Sequence, residues 1–362
     1  MIDPRVNRLA KVLVQYSRKV KRGQVVLVAG PTAAEPLILE VGREVLRAGG
    51  HPVYRMLPDA ALEVFYAEAG DEQIAFLPKS FLAAVREADH LINILGETNT
   101  QALASADPKK QRLAEAAKRP IMDLMLKKNE WTLSLFPTAA YAQDAGMGLE
   151  EFEAFVYAAM RVDAKDPVAA WAKAKRFQEK VLARLKGADR IHIVAPGTDL
   201  RMSVKGRTFL SSYGTYNMPD GEIFTGPVES SAEGVIRYTY PLCYRGKEVT
   251  DVRLEFEGGK VVKATAAKNE EFLRSMIAMD AGATRLGELG VGTNYGIGRF
   301  MKNILFDEKI GGSVHLALGR SYEETGGRNK SGLHWDMICD LRQGGRLEAD
   351  GQVIQENGKF RL

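Results

Sequence analysis

Six side chains in the second half of this 362-residue chain are of the types that hold divalent metal ions: Glu222, Glu288, Glu308, His315, His334 and Asp336. Imidazole nitrogen combined with carboxylate oxygen suits zinc and its first-row neighbours. Several carboxylates can also hold two ions close together, and a pair of ions of that kind drives hydrolysis. The chain has only five histidines, and two of them fall beside acidic residues here. His334-Trp335-Asp336 carries the most geometry, because residues two apart in a strand leave the same face. Each of the others has an ordinary alternative. Glu222 also reads as a solvated turn carboxylate after Pro219-Asp220-Gly221, and Glu288 as part of a glycine-rich loop. Asp307-Glu308 reads as a helix or turn terminus, and His315, alternating with Val314, Leu316 and Leu318, as a core histidine of a strand. His51, His90 and His192 have no such company and are assigned no role.

These residues need a scaffold, and the chain changes texture before it reaches them. Asp3 and Pro4 predict the start of a first helix, closed by the basic run Arg18, Lys19, Lys21 and Arg22, which offsets the helix dipole. Val25–Ala29, Pro52–Leu57, Leu91–Leu95 and Ile121–Met125 read as buried strands, with a helix over Pro36–Ala48. Apolar strands alternating with helices imply an α/β unit with a largely parallel sheet. Helices are expected over Leu149–Met160 and Pro167–Lys186. From Asp189 the segments Ile191–Val194, Leu200–Val204, Val235–Pro241, Val252–Phe256 and Val261–Thr265 are short and β-branched, separated by turn signals such as Gly258-Gly259. They predict a mainly antiparallel α+β domain with one helix near Glu270–Ala281. The expected division is therefore 1–187, the α/β domain, and 188–362, the metal-bearing domain.

Composition narrows the function classes. The hydrophobic content of 45% supports a large core, and a net charge of +4 without an aromatic-interleaved basic stripe argues against nucleic acid. Two distant cysteines, Cys243 and Cys339, exclude a disulfide framework and a cysteine-rich zinc site, and fit a reducing cytoplasm. The opening Met-Ile-Asp-Pro-Arg has no signal-peptide character, and no apolar run reaches the ~18 residues of a membrane span. A nicotinamide-binding dehydrogenase is disfavoured. Gly30-Pro31-Thr32-Ala33-Ala34 lacks the glycine fingerprint, and Gly290-Val291-Gly292-Thr293-Asn294-Tyr295 ends in Tyr outside a strand–turn–helix context.

An ordered series of motifs then points to a family. It comprises Asn217–Thr225, Thr239–Leu242, Asp280–Ala283 with Leu286-Gly287-Glu288, Asn303–Glu308, His315–Gly319, Tyr322 and Asn329–Met337. With Lys21–Gln24 and Arg47–Pro52 near the start, the whole chain resembles the thermophilic aminopeptidases, the M29 metallopeptidases. The resemblance implies a dinuclear site with Glu222 and Glu288 bridging or flanking both ions, and with Glu308, His315, His334 and Asp336 completing the coordination. The ions expected are zinc or cobalt, with manganese or magnesium as alternatives. Tyr322 takes the family's site-tyrosine position, where it would bond the developing oxyanion, with Glu222 or Glu288 carrying the proton. The implied substrates are peptides with a free N-terminus, and the implied assembly is a homodimer in which the α/β domain restricts access to the site. Two departures stand out: a longer stretch between Glu308 and His315, and a shorter one between Tyr322 and Asn329. The second motivates an alternative, a catalytically inactive metal- or peptide-binding protein of the same fold.

Overall fold

The computed structural model describes residues 3–128, 130–244 and 247–362, and the chain forms two compact units. The first runs to Ala170 and also includes Gly214–Pro219; the second comprises Trp171–Tyr213 and Asp220–Leu362. In the first unit, strands β1 (Val25–Pro31), β2 (His51–Leu57), β3 (His90–Leu95), β4 (Trp131–Leu135) and β8 (Asn217–Met218) lie parallel in the order β2-β1-β3-β4-β8. Val26, Leu27 and Val28 of β1 are all buried, as expected of an inner strand covered on both faces. The first helix, Pro4–Lys11, opens as its sequence predicts: Asp3 accepts from the Arg5 amide at 2.8 Å.

Two details of this unit depart from the sequence reading. Ile121–Met125 is not a strand but part of the helix Pro108–Lys128. Ile121 is buried and Leu124 and Met125 pack against the same cluster, while Met122 is exposed; that is helical spacing, not alternation. The strand in this region is Trp131–Leu135. The basic run after the first helix is also more than a dipole partner. Arg18 is buried, paired with Glu130 at 3.3 Å and donating to the Thr215 carbonyl at 2.6 Å.

The second unit is built from antiparallel sheets. Strands β5 (Arg190–Ala195), β6 (Thr198–Ser203), β10 (Glu233–Arg237), β13 (Arg253–Glu257), β14 (Lys260–Thr265), β18 (Arg346–Ala349), β19 (Gln352–Glu356) and β20 (Lys359–Phe360) form one sheet. A second contains β7 (Leu210–Ser212), β9 (Glu222–Thr225), β15 (Leu286–Gly292), β16 (Ser313–Gly319) and β17 (His334–Asp340), in the order β17-β16-β15-β9-β7. A separate hairpin joins β11 (Leu242–Tyr244) to β12 (Lys247–Val249). The two sheets share a core that includes Ile193, Leu254 and Phe256 from the first and Leu289, Leu316 and Met337 from the second.

The expected division near residue 187 coincides with the end of the helix Pro167–Leu185, whereas the units part near its start. The reason is packing: Val181 and Leu185 belong to the core of the second unit. Gln178, on the same helix and buried, ties that core to the strands around it. Its amide nitrogen donates to the carbonyl of Ser212 at 2.7 Å and to the Thr293 hydroxyl at 2.9 Å, and lies 3.3 Å from the carbonyl of Glu222. Gln178→Ala removes the donor these acceptors share. A loss of roughly 1–3 kcal/mol is expected, read as a lower melting temperature and faster hydrogen exchange in β9. A melting curve superimposable on the wild type would contradict this role.

Candidate metal centre

Strand alternation sorts the second sheet of this unit into two chemically opposite faces. Ile223, Leu289, Val291, Val314, Leu316, Trp335, Met337 and Cys339 point into the core. The residues between them, Glu222, Glu288, His315, His334 and Asp336, therefore share the other face. Register brings them together. Gly292 faces Glu222, Gly290 faces His315, and Ala317 lies between Glu288 and Asp336. A β-bulge at Gly287 shifts the register between Leu286 and Glu288, so Leu286 and Leu289 both reach the core while Glu288 stays on the polar face. Glu288 thus sits in a strand, not in the glycine-rich loop its neighbours suggest, and Glu222 begins a strand and is buried, unlike a solvated turn carboxylate.

The glycines provide room. A Cβ added at Gly290 would lie 2.0 Å from Nε2 and Cε1 of His315, so the imidazole lies flat across a strand that has no side chain at that position. Ala317 and Gly319, also on this face, are equally small.

The polar atoms converge on Glu288. His315 Nε2 is 3.3 Å from Glu222 Oε2 and 3.4 Å from Glu288 Oε1. His334 Nε2 is 3.4 Å from both Glu288 Oε2 and Asp336 Oδ2. Two triads result, Glu222–Glu288–His315 and Glu288–His334–Asp336, each with its donor atoms within 4.8 Å of one another and each containing Glu288. Both imidazoles are oriented from behind. His315 Nδ1 bonds the Glu308 carbonyl and His334 Nδ1 the Arg320 carbonyl, each at 2.8 Å. A carbonyl can only accept, so Nδ1 carries the proton and the neutral ring presents its Nε2 lone pair to the site, the arrangement that orients metal-bound histidines.

Glu308 belongs to neither triad. It caps the short helix Ile304–Asp307, as the terminus reading expected, and its carboxylate pairs with the Lys309 ammonium. Lys309 is fully buried and its Nζ lies 3.8 Å from Glu222 Oε1. Sequence reading passed over this lysine. It follows Asp307-Glu308 directly, and no local pattern marks it as a buried counter-charge. Tyr322 packs edge-on against Phe224 at 5.5 Å and against His334 at 5.3 Å, while 45% of it remains open to solvent. His90 and His192 are bound into hydrogen bonds elsewhere, the first with Glu130 and Gln24, the second with Asp199 and Glu348.

Burial and mutual charge set the protonation of this cluster. Desolvation pushes Glu222 up to about 8, with Lys309 opposing it, and burial also raises Glu308. Asp336 goes the other way: burial raises it, but His334, His315 and Lys309 outweigh that and hold it at about 2. Burial lowers both imidazoles, yet Glu288 and Glu222 around His315, and Asp336 and Glu288 around His334, carry each up to about 10. The Tyr322 phenol is raised by desolvation and by the Glu288 and Asp336 charges, so it remains a donor. Protons on the imidazoles are thus the counter-charge the carboxylates recruit, and a metal ion binds by displacing such protons.

The donor set fits divalent cations. It combines imidazole and carboxylate, Asp336 Oδ1 is buried without a hydrogen-bond partner, and Glu288 offers one oxygen to each triad. The Gly290→Ala substitution tests the clearance argument, because its methyl group must displace the His315 ring. Metal content measured on the purified variant should fall at least about tenfold in affinity with the circular dichroism spectrum retained. Wild-type metal affinity would show that His315 does not depend on the bare strand.

Comparison with known proteins places this geometry. The thermophilic metalloprotease (M29) family pattern matches residues 2–360. Aminopeptidase T of Thermus thermophilus is 28% identical, covering 98% of this chain and 95% of that protein. Aminopeptidase 2 of Geobacillus stearothermophilus is also 28% identical, covering 88% and 84%. Among solved structures, wild-type AmpT from Thermus thermophilus matches with a TM-score of 0.86 at 24% identity over 100% of both chains. A 2,5-dihydroxypyridine dioxygenase from Pseudomonas putida KT2440 matches with a TM-score of 0.58 at 17% identity, over 99% of this chain and 97% of that one. At these identities the structural likenesses speak for the fold, an α/β unit joined to an antiparallel one. The match along nearly the entire sequence speaks for descent: the chain belongs to the thermophilic metalloprotease (M29) family.

Proposed function

We propose that the chain is a metal-dependent aminopeptidase that removes N-terminal residues from peptides at a dinuclear centre on the polar face of β9, β15, β16 and β17. The observation that carries this reading is the pair of triads sharing Glu288, whose two carboxylate oxygens face different histidines. The relatives' names, aminopeptidase T and aminopeptidase 2, support the substrate class. Glu222, Glu288 and His315 would hold one ion, and Glu288, His334 and Asp336 the other. Bound ions supply Lewis-acid polarisation of the scissile carbonyl and a water acidified toward neutrality.

The remaining work falls to the chain. Four carboxylates face one permanent cation, Lys309, so a single divalent ion would leave the cluster one charge negative and two would leave it one charge positive, which a hydroxide would balance. Glu222, beside His315, or Glu288, beside both histidines, would carry the proton from the attacking water to the leaving amine. Lys309 keeps Glu308 and Glu222 from repelling each other. Tyr322, protonated and beside His334, donates to the oxyanion as it forms. Zinc or cobalt suits the imidazole–carboxylate mixture, with manganese or magnesium as harder alternatives. The α/β unit is assigned the tasks of restricting access and supporting a homodimer. The two cysteines are not joined in a disulfide, which accords with work in a reducing cytoplasm.

Chelator-treated protein should lose cleavage of leucine and phenylalanine anilides and regain it at two ions per chain. Metal binding without cleavage of any dipeptide would favour the inactive binding protein instead, and undiminished cleavage without metal would sink both readings. Tyr322→Phe should lower kcat by about 10²–10³-fold with metal content preserved; a wild-type kcat would remove the tyrosine from the oxyanion.

A further inference from the structure

The two triads that share Glu288 have different surroundings. Glu222, Glu288 and His315 are all buried, and His315 leaves only 1% of its side chain exposed. In the other triad His334 keeps 27% and Asp336 11% of the side chain open. A cation stands against the buried triad. Lys309, whose side chain has no exposed surface, lies between the short helix Ile304–Asp307 and β16. Its Nζ is 3.8 Å from Glu222 Oε1, and its ion pair with Glu308 holds it there. Burial disfavours the ammonium, but the charges of Glu308, Glu222 and Asp220 outweigh that, so Lys309 stays cationic. Burial raises Glu222 most, and of the charges around it the ammonium outweighs the Glu308 carboxylate. After burial, Asp336 answers chiefly to His334 and then His315, with Lys309 behind them.

Resting on the dinuclear reading above, we propose that Lys309 makes the two metal positions unequal: the Glu288–His334–Asp336 position fills first and tightly, and the Glu222–Glu288–His315 position fills second and loosely. Charge is the first argument. An ion held by Glu222 shares that carboxylate with the ammonium, and like charges so close repel strongly away from bulk water. Glu288 and Asp336 pair with no lysine or arginine among the described residues. Solvation is the second. An ion entering the buried triad gives up more of its water than one beside the partly open His334 and Asp336. Free donors are the third. Asp336 Oδ1 is buried without a hydrogen-bond partner, whereas Glu222 Oε1 already faces Lys309. Sharing Glu288 would weaken any second ion, so the order of filling and the response to Lys309 are what distinguish this arrangement.

Zinc added to metal-free protein, followed by calorimetry against a competing chelator, reads both binding steps. Lys309→Met should tighten the second step at least about tenfold and leave the first nearly unchanged. Glu308→Gln, which leaves the ammonium less neutralised, should weaken the second step. The double variant Glu308→Gln/Lys309→Met leaves neither member of the pair buried alone, so it keeps the test open if a single variant does not fold. It too should bind the second zinc more tightly than the wild type. Anomalous scattering from crystals carrying one zinc per chain should place that ion between His334 and Asp336. A first zinc seated against Glu222 and His315, or a second step that moves in none of the variants, overturns the proposal and leaves the dinuclear centre standing. A single zinc in the wild type, with a second one binding only once Lys309 is replaced, sinks the dinuclear reading and keeps the role of Lys309. One zinc in every variant sinks both.

Discussion

Glu222 and Glu288 are buried and Asp336 half-buried on one face of a single sheet, with Glu308 beside them at the end of a short helix, and Lys309 is the permanent counter-charge paired with Glu222 and Glu308. Burying an uncompensated carboxylate costs several kcal/mol, and the cluster relieves that cost in two visible ways. Glu222 moves up to about 8, toward holding a proton itself, and His315 and His334 move up to about 10, holding protons for their neighbours. Both responses put positive charge where a divalent ion would put more of it in less space. The attraction between this anionic cluster and a cation is what the surrounding architecture serves.

That architecture is inexpensive in sequence terms but strict in geometry. Period-two alternation supplies an apolar face for the core and a polar face for the ligands from the same strands. The bulge at Gly287 resets the alternation once, where Leu286 would otherwise share the face of Glu288. Gly290 gives up the packing and backbone restraint of a strand side chain so that the His315 ring can lie across it. The carbonyls of Glu308 and Arg320 then set the ring tautomers, so residues without any donor role at the triads decide which nitrogen faces them.

How much of this was legible depended on whether a residue's role is written in its own period. His334 and Asp336 were readable as one-face neighbours because their spacing is the strand period itself. The α/β and antiparallel halves were readable from the change in texture near Asp189. Glu288 read as loop because glycine ordinarily signals turns, whereas here Gly287 makes a bulge and Gly290 makes clearance, and both depend on partners distant in sequence. Ile121–Met125 read as a strand because a short apolar run has no period of its own; its helix shows only through what packs on each side. Lys309 was passed over for a related reason: a lysine's pairing with carboxylates on other elements has no local signature. The grouping of the six ligand candidates rested on family resemblance, not on spacing.

The fold alone does not choose the chemistry, since a dioxygenase shares it at a TM-score of 0.58. The donor balance separates the possibilities further. Iron oxygenases that activate O₂ commonly use two imidazoles and one carboxylate on one metal, with open positions left over. Each triad here has the reverse proportion, one imidazole and two carboxylates, and the two are joined through Glu288. Carboxylate-rich positions favour hard or borderline ions, which polarise a carbonyl and acidify water without changing oxidation state. Lys309 reinforces that direction, because a buried ammonium beside Glu222 and Glu308 fixes how much cationic charge the remaining carboxylates still require.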